Sequence, residues 1–356
     1  MNNWTVIAAS VGAVLVVLVS LAVVDARMLP AAPWRSSVLL SLGCAAAGAL
    51  AWVLLAPVIA PEVQGSLFIP IAALAGVASY LATIAVRAAG GGVVATLVFA
   101  LGWSAIVFVP TAVLTFAPYA ASWPVGIAPV DHGGSLAVNV SAGAAALAVL
   151  VMGGPRLRTA SIARITGLVA MIALCLGWIL WLVGAELAID DVTPGIVLNG
   201  VVGALGGMVG WLFVQRLSHK STTLSAVAAG LVSGLVAVTA GAPLFTPVSA
   251  TAAGILAGGA ACIVTLRRVG ASRRQQWFVV GSHLIAAAVG IVVLGLLATG
   301  MGFLFTGSLA LIINQVTATV FVALYSAVVA AVLWLPLRWA VALSSKRRAA
   351  EKPGAA

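Results

Sequence analysis

Every lysine and arginine in this chain falls in alternate connections between long apolar runs, and that alternation limits the possible fold more than any other feature. One such run, VIAASVGAVLVVLVSLAVV at 6–24, is long enough to cross a hydrocarbon core of roughly 30 Å. Eleven spans are read, near 5–24, 37–58, 66–86, 92–114, 134–153, 162–185, 193–214, 223–241, 248–266, 277–299 and 307–337. The last is too long for one straight crossing and must tilt or run past the membrane. Only 7% of the residues are charged, against about a quarter in soluble proteins. Short alternating strands, the mark of a membrane barrel, are missing. The sequence therefore reads as an all-α polytopic membrane protein.

The basic connections hold Arg27 and Arg35; Arg87; Arg156, Arg158 and Arg164; Arg216 and Lys220; Arg267, Arg268, Arg273 and Arg274; and then Arg338, Lys346, Arg347, Arg348 and Lys352. The positive-inside rule puts the N-terminus outside and the C-terminus in the cytoplasm. Five of the seven acids, Glu62, Asp131, Glu186, Asp190 and Asp191, fall on the opposite side. The net charge of +10 is thus topological and does not call for nucleic acid. The first run lacks a basic leader region and is read as span 1, with removal as a signal peptide the alternative. Cys44, Cys175 and Cys262 lie in apolar spans, without metal-like spacing, and are expected in the core. No phosphate loop, zinc cluster or nucleophile triad is present, so the chain is read as no enzyme, with no cofactor and no metal.

Residues 1–342 form one transmembrane domain and 343–356 a short basic cytoplasmic tail. Spans 1–5 (1–153) start outside and end inside, and spans 6–10 (154–300) do the reverse, with 301–342 as a last helix. Two five-span units of opposite orientation suit an inverted-repeat transporter with its pathway at their interface. Glycines spaced by four, at Gly203 and Gly207, Gly206 and Gly210, and Gly230 and Gly234, let helix backbones approach closely.

Polar residues inside the spans mark the pathway. Asn139 lies eight residues past Asp131, roughly 12 Å along a helix, and His283 nine residues past Arg274, roughly 13–14 Å. Each arrives near midplane in the fifth helix of its unit, one from outside and one from inside. A neutral imidazole offers one donor and one acceptor, which suits a small polar solute or a proton; a plain interhelical hydrogen bond is the alternative. Asp131 is placed to cap a helix at the outer mouth and to add negative potential there. His132 beside it is expected at solvent or the interface, with no role. Trp181 and Phe116, near outer ends, either belong to the aromatic belt or hold a cation at ~0.5–2 kcal/mol per ring.

Five stretches together resemble the ammonium transporter family (Amt/Mep/Rh). They are WSAIVFVP at 103–110, VDHGGSLAVNVSAG at 130–143, GWILWLVG at 177–184, the spans IVLNGVVGALGGMVGWLF and SAVAAGLVSGLVAVTAGA, and VVGSHLIAAAVG around His283. The resemblance implies eleven spans, two inverted five-helix repeats and one pore per subunit of a homotrimer. It matches Asp131 to the family's structural aspartate, His283 to the second of its paired pore histidines and Trp181 to a gating phenylalanine. Phe116 falls at the outer-site tryptophan, and Phe68 at another aromatic of that region. The departures are Asn139 at the first pore histidine, Ala185 at the serine that bonds the recruited cation, Ala72 at the second gating phenylalanine, Phe278 at an aspartate and Ala229 at a serine. The tail SSKRRAAEKPGAA lacks the family's docking segment for PII-type proteins, so no such partner is expected. The resemblance implies transport of ammonium or ammonia with an altered proton relay, in a multi-pass protein of a plasma membrane, a bacterial inner membrane by its Ala/Gly-rich composition. The alternatives are a transport-inactive ammonium sensor or partner subunit, and a pore for another small neutral solute.

Overall fold

In hydrocarbon every backbone N–H and C=O must be satisfied internally, and a single segment achieves this only as a helix. The computed structural model of the chain describes residues 3–25, 34–61, 65–116, 123, 126–153, 164–218, 221–267 and 277–350, and these contain helices and no strand. The membrane helices are α1 (Asn3–Asp25), α2 (Trp34–Ile59), α3 (Phe68–Ala88), α4 (Val93–Phe116), α5 (Ser135–Val151), α6 (Arg164–Gly184), α7 (Thr193–Leu217), α8 (Leu224–Thr239), α9 (Pro247–Arg267), α10 (Val280–Leu297) and α11 (Ala310–Ala350). Nine of these are long and apolar enough to cross a membrane, while α5 and α8 are shorter. The eleven apolar runs of the sequence thus reappear with ends shifted by up to three residues, except the last, which was read to end at 337 and runs on to Ala350. Arg27, Arg156, Arg158, Lys220, Arg268, Arg273, Arg274, Lys352, Glu62 and residues 117–122, 124 and 125 of the connection before Gly133 lie outside the described residues. The candidate membrane span within α11, Ala310–Leu343, runs for 34 residues, about 51 Å at 1.5 Å per residue, which accounts for the excess length read from the sequence.

Packing repeats between the halves. The first helices of the two units, α1 and α6, pack on each other. The second helix of each unit packs on the third and fourth (α2 on α3 and α4; α7 on α8 and α9), and the third packs on the first and fifth. The fifth helices share a rarer feature. Both α5 and α10 open with a π-helical stretch, at Ser135–Val140 and Val280–Ile285, and these wider turns are found disproportionately at functional sites. A third stretch, Ser104–Phe108, interrupts α4.

The glycine pairs do what their spacing suggests. A Cβ at Gly207 would lie 2.4 Å from the Gly230 carbonyl and 2.5 Å from the Gly234 nitrogen, and one at Gly258 would lie 2.1 Å from the Gly207 carbonyl. At this seam α7, α8 and α9 meet backbone to backbone. Gly206 and Gly210 similarly sit against the carbonyls of Thr251 and Ile255 on α9.

Outside both repeats, α11 lies along α5 and is joined to that stretch of chain by three polar rungs. At one end Gln315 exchanges two bonds with Val130, at 3.0 and 2.9 Å. Midway, Ser326 donates to the Ser141 carbonyl at 2.6 Å while accepting from the Trp103 indole at 3.0 Å. Toward the other end Arg338 Nη1 donates to the Met152 carbonyl at 2.6 Å. The three cysteines are free; Cys44 and Cys262 are buried and Cys175 is partly so.

Candidate functional site

The stretch read from the sequence as the outer mouth is the turn that leads into α5. Asp131 Oδ1 and Oδ2 accept from the Ser135 and Leu136 N–H groups at 2.5 and 2.6 Å, the orphan donors of a helix start. Desolvation pushes this carboxyl up to about 7 against the pull of those N–H groups. Gly134 adopts φ +85°, a left-handed conformation that favours glycine. Gly133 has no room for a side chain, since a Cβ would lie 2.8 Å from the Thr239 carbonyl. Asp131→Ala removes both charge-assisted bonds and should cost about 2–3 kcal/mol, read as a lower thermal unfolding temperature in detergent.

His132 is not at solvent with nothing to do. The side chain is 12% exposed; Nε2 lies 2.9 Å from the Leu182 carbonyl and Nδ1 3.7 Å from Glu186 Oε2. Its backbone N–H donates to the Ala240 carbonyl at 2.8 Å, and that of Gly133 to Thr239 at 2.9 Å. The turn is wedged between α6 and the end of α8, a placement that one-dimensional spacing does not reveal.

Beneath the mouth, Trp181 donates its indole N–H to the Gly133 carbonyl at 3.0 Å. Trp178, one turn earlier on α6, donates to Thr239 Oγ1 at 3.0 Å. Both tryptophans, with Asn139, Thr239, Val138, Leu74 and Gly133, line a narrow cavity. The space in which a water-sized molecule fits there is ≈ 20 Å³, room for about one. The lining is almost wholly apolar.

The two fifth helices join at a buried polar pair. His283 Nδ1 lies 2.8 Å from Asn139 Oδ1, with both residues 1% exposed or less. An amide oxygen only accepts, so Nδ1 carries the hydrogen and Nε2 keeps a lone pair. That Nε2 is buried with no partner. Trp178 stacks on the imidazole, with ring centroids 6.3 Å apart and planes at 27°. The approach is set by Gly143, one turn past Asn139, where a Cβ would lie 2.6 Å from the Leu284 nitrogen. Backbone contact beside His283 is what closes the distance.

Of the other residues singled out from the sequence, Phe116 reaches the mouth: its Cζ would lie 3.1 Å from a Cβ at Gly134. Phe68 packs on Trp52, with centroids at 5.9 Å, and is not among the cavity-lining residues. Ala185 follows the last residue of α6, its N–H bonded to the Trp181 carbonyl at 2.8 Å. Trp178 and Thr239 were missed. Trp178 lies three residues from Trp181, and that spacing places two residues on one helix face, so it was within reach of the sequence. Thr239 was not. No cluster of three or more His, Cys, Asp or Glu with metal-binding geometry occurs among the described residues.

Residues 58–354 match the family described as Ammonium Transporter Family. Among curated proteins, the chain is similar to the ammonium transporter of Bacillus subtilis (strain 168), 29% identical over 263 residues that cover 68% of this chain and 64% of that protein. The chain thus spans less than two thirds of that relative's length. Among solved structures it superposes on Candida albicans Mep2 with a TM-score of 0.76 at 16% identity, covering 94% of this chain and 85% of that one. It superposes on a chain named Sensor Amt Protein with a TM-score of 0.80 at 17% identity, covering 95% and 93%. At such identities the two structures bear on the fold alone.

Proposed function

The chain belongs to the ammonium transporter family, and on that premise we propose that it forms a pore that passes ammonia across the membrane and leaves the proton of ammonium behind. The observation that carries this reading is the bond between Asn139 and His283, with His283 Nε2 bare and buried. Ammonia has N–H groups to donate, and an imidazole lone pair at the end of an apolar passage accepts one. Ammonium is drawn to the outer mouth by its acids and held against the rings of Phe116 and Trp181. It loses a proton there because a bare cation is costly in the apolar cavity beyond. Neutral ammonia then passes Trp181 and reaches the midplane pair.

The fate of the proton separates this pore from one with two histidines. An imidazole gains and loses a proton near neutrality, and a carboxamide does not. Asn139 therefore interrupts any relay through His283, and flux is electrically silent. The test uses the full chain in vesicles loaded with a pH-sensitive dye. An ammonium pulse is expected to raise internal pH faster than in protein-free vesicles, with no current on a solid-supported membrane. A saturating ammonium current that survives His283→Ala would overturn the assignment.

A second reading has its own support. Ala185 stands where the resemblance implies a serine for the cation, which favours a transport-inactive sensor or partner subunit; it predicts no flux and ammonium-dependent capture of a partner from membranes. Ala72, at an implied gating position, favours a pore for another small neutral solute, which a substrate panel in the same vesicles separates. We extend the leading reading to a homotrimer in a bacterial inner membrane, with 1–153 and 154–300 as the two repeats, 301–342 as the closing helix and 343–356 as a cytoplasmic tail.

A further inference from the structure

The His132–Glu186 contact has no part in the reading above, and its hydrogen-bond logic is specific. A carbonyl only accepts, so the 2.9 Å contact with Leu182 fixes the hydrogen on His132 Nε2. In the neutral ring Nδ1 then presents a lone pair, and it faces a carboxylate oxygen of Glu186 at 3.7 Å. Two acceptors turned toward each other leave a place for a proton. The pair is reachable: the side chains are 12% and 28% exposed. It is also beside the gate, because Trp181 precedes Leu182 and bonds the carbonyl of Gly133, the residue after His132.

We propose that His132 and Glu186 form the outer proton-exchange dyad of the pore, in which His132 Nδ1 takes the proton of an arriving ammonium ion and Glu186 holds the resulting imidazolium. The step balances without any other reactant. One N–H bond of ammonium breaks and its electron pair stays on nitrogen, giving ammonia; the Nδ1 lone pair forms the new N–H bond. The proton then returns to outer water by way of the partly exposed Glu186 carboxylate, and ammonia goes on past Trp181. This rests on the ammonia reading above, for which it supplies the acceptor that an interrupted midplane relay requires.

The charges around the ring agree with that role. From its own segment, Asp131 has both carboxylate oxygens engaged by Ser135 and Leu136 N–H groups. From α6, Glu186 faces the ring. From the end of α8 come the carbonyls of Thr239 and Ala240, which bind the backbone of Gly133 and His132. Burial holds the ring below the usual histidine value, against the Leu182 carbonyl and the Glu186 charge, which raise it. Near neutral pH the ring waits unprotonated, and the Glu186 charge is what favours the proton it takes up.

Two measurements on the full chain test the dyad. Nitrogen NMR of 15N-histidine protein in nanodiscs reads tautomer and protonation directly, whether or not the protein transports. The expected result is an Nε2–H tautomer for neutral His132 and a titration midpoint about one unit lower in Glu186→Gln. The Nδ1–H tautomer, or an unmoved midpoint, would overturn the dyad. In dye-loaded vesicles, His132→Gln keeps a donor for Leu182 but takes no proton, and should slow ammonium-driven alkalinisation by about tenfold or more. Unchanged flux in His132→Gln beside an active wild type overturns the dyad and leaves the ammonia reading standing. No flux in the wild type overturns that reading, and with it the dyad's place in a pore.

Discussion

Asn139→His is expected to produce an ammonium-evoked current in a protein that otherwise gives none. The reason lies in the 2.8 Å contact between Asn139 Oδ1 and His283 Nδ1. A carboxamide at that position accepts one hydrogen bond and goes no further, since neither protonation nor loss of a proton is accessible near pH 7. A second imidazole changes the chemistry while keeping the contact: one ring donates, the other accepts, and the shared hydrogen can pass between them with each outer nitrogen reloading in turn. The substitution enlarges a site that is 1% exposed, so a thermal unfolding scan of the variant must accompany the electrical recording. A cavity that already admits about one small molecule gives the larger ring somewhere to go. Current in the unmodified protein would show that charge crosses by a route independent of paired imidazoles. Silence in a stably folded Asn139→His would show that the obstacle lies elsewhere along the passage.

Gly207→Val should have the largest effect on stability. Its first carbon would fall 2.4 Å from the Gly230 carbonyl and 2.5 Å from the Gly234 nitrogen, and both neighbours are backbone that no rotamer change can move aside. Overpacking of this kind costs typically 1–3 kcal/mol and occasionally more. A branched side chain against two backbones belongs at the upper end, about 3 kcal/mol or above. Folded yield in detergent should fall sharply and the unfolding temperature with it. Gly195→Ala is the control, because a Cβ there meets nothing within 4 Å; it should change stability by no more than about 0.5 kcal/mol. Equal losses in the two variants would mean that the α7–α9 seam is not where the second repeat gets its stability.

The fold was legible in the sequence for a physical reason. Lipid leaves few spanning architectures, and apolar length with alternating basic connections identifies the helical one. The glycine seam was legible too, because a spacing of four maps directly onto one helix face. Asn139 and His283 could be placed at matching depths by counting residues from charged ends, but their contact depends on Gly143 admitting the backbone at Leu284. Nothing in the spacing of either helix discloses that. Gln315 shows the same limit, since a glutamine 185 residues from its partner Val130 looks in sequence like one more polar residue near a helix end. His132, expected at solvent or the interface, is enclosed because the start of the turn donates two backbone bonds to the carbonyls at the end of α8.

The three rungs between α11 and the α5 segment fall at Val130, Ser141 and Met152, eleven residues apart. The first interval crosses the left-handed Gly134 and the π-helical turns at Ser135–Val140, so the even spacing is one of sequence and not of helical phase. An axial slip of α5 by a single residue would break all three together, whereas local bending can spare two of them. The height of Asn139 in the membrane is therefore set by a helix that belongs to neither repeat.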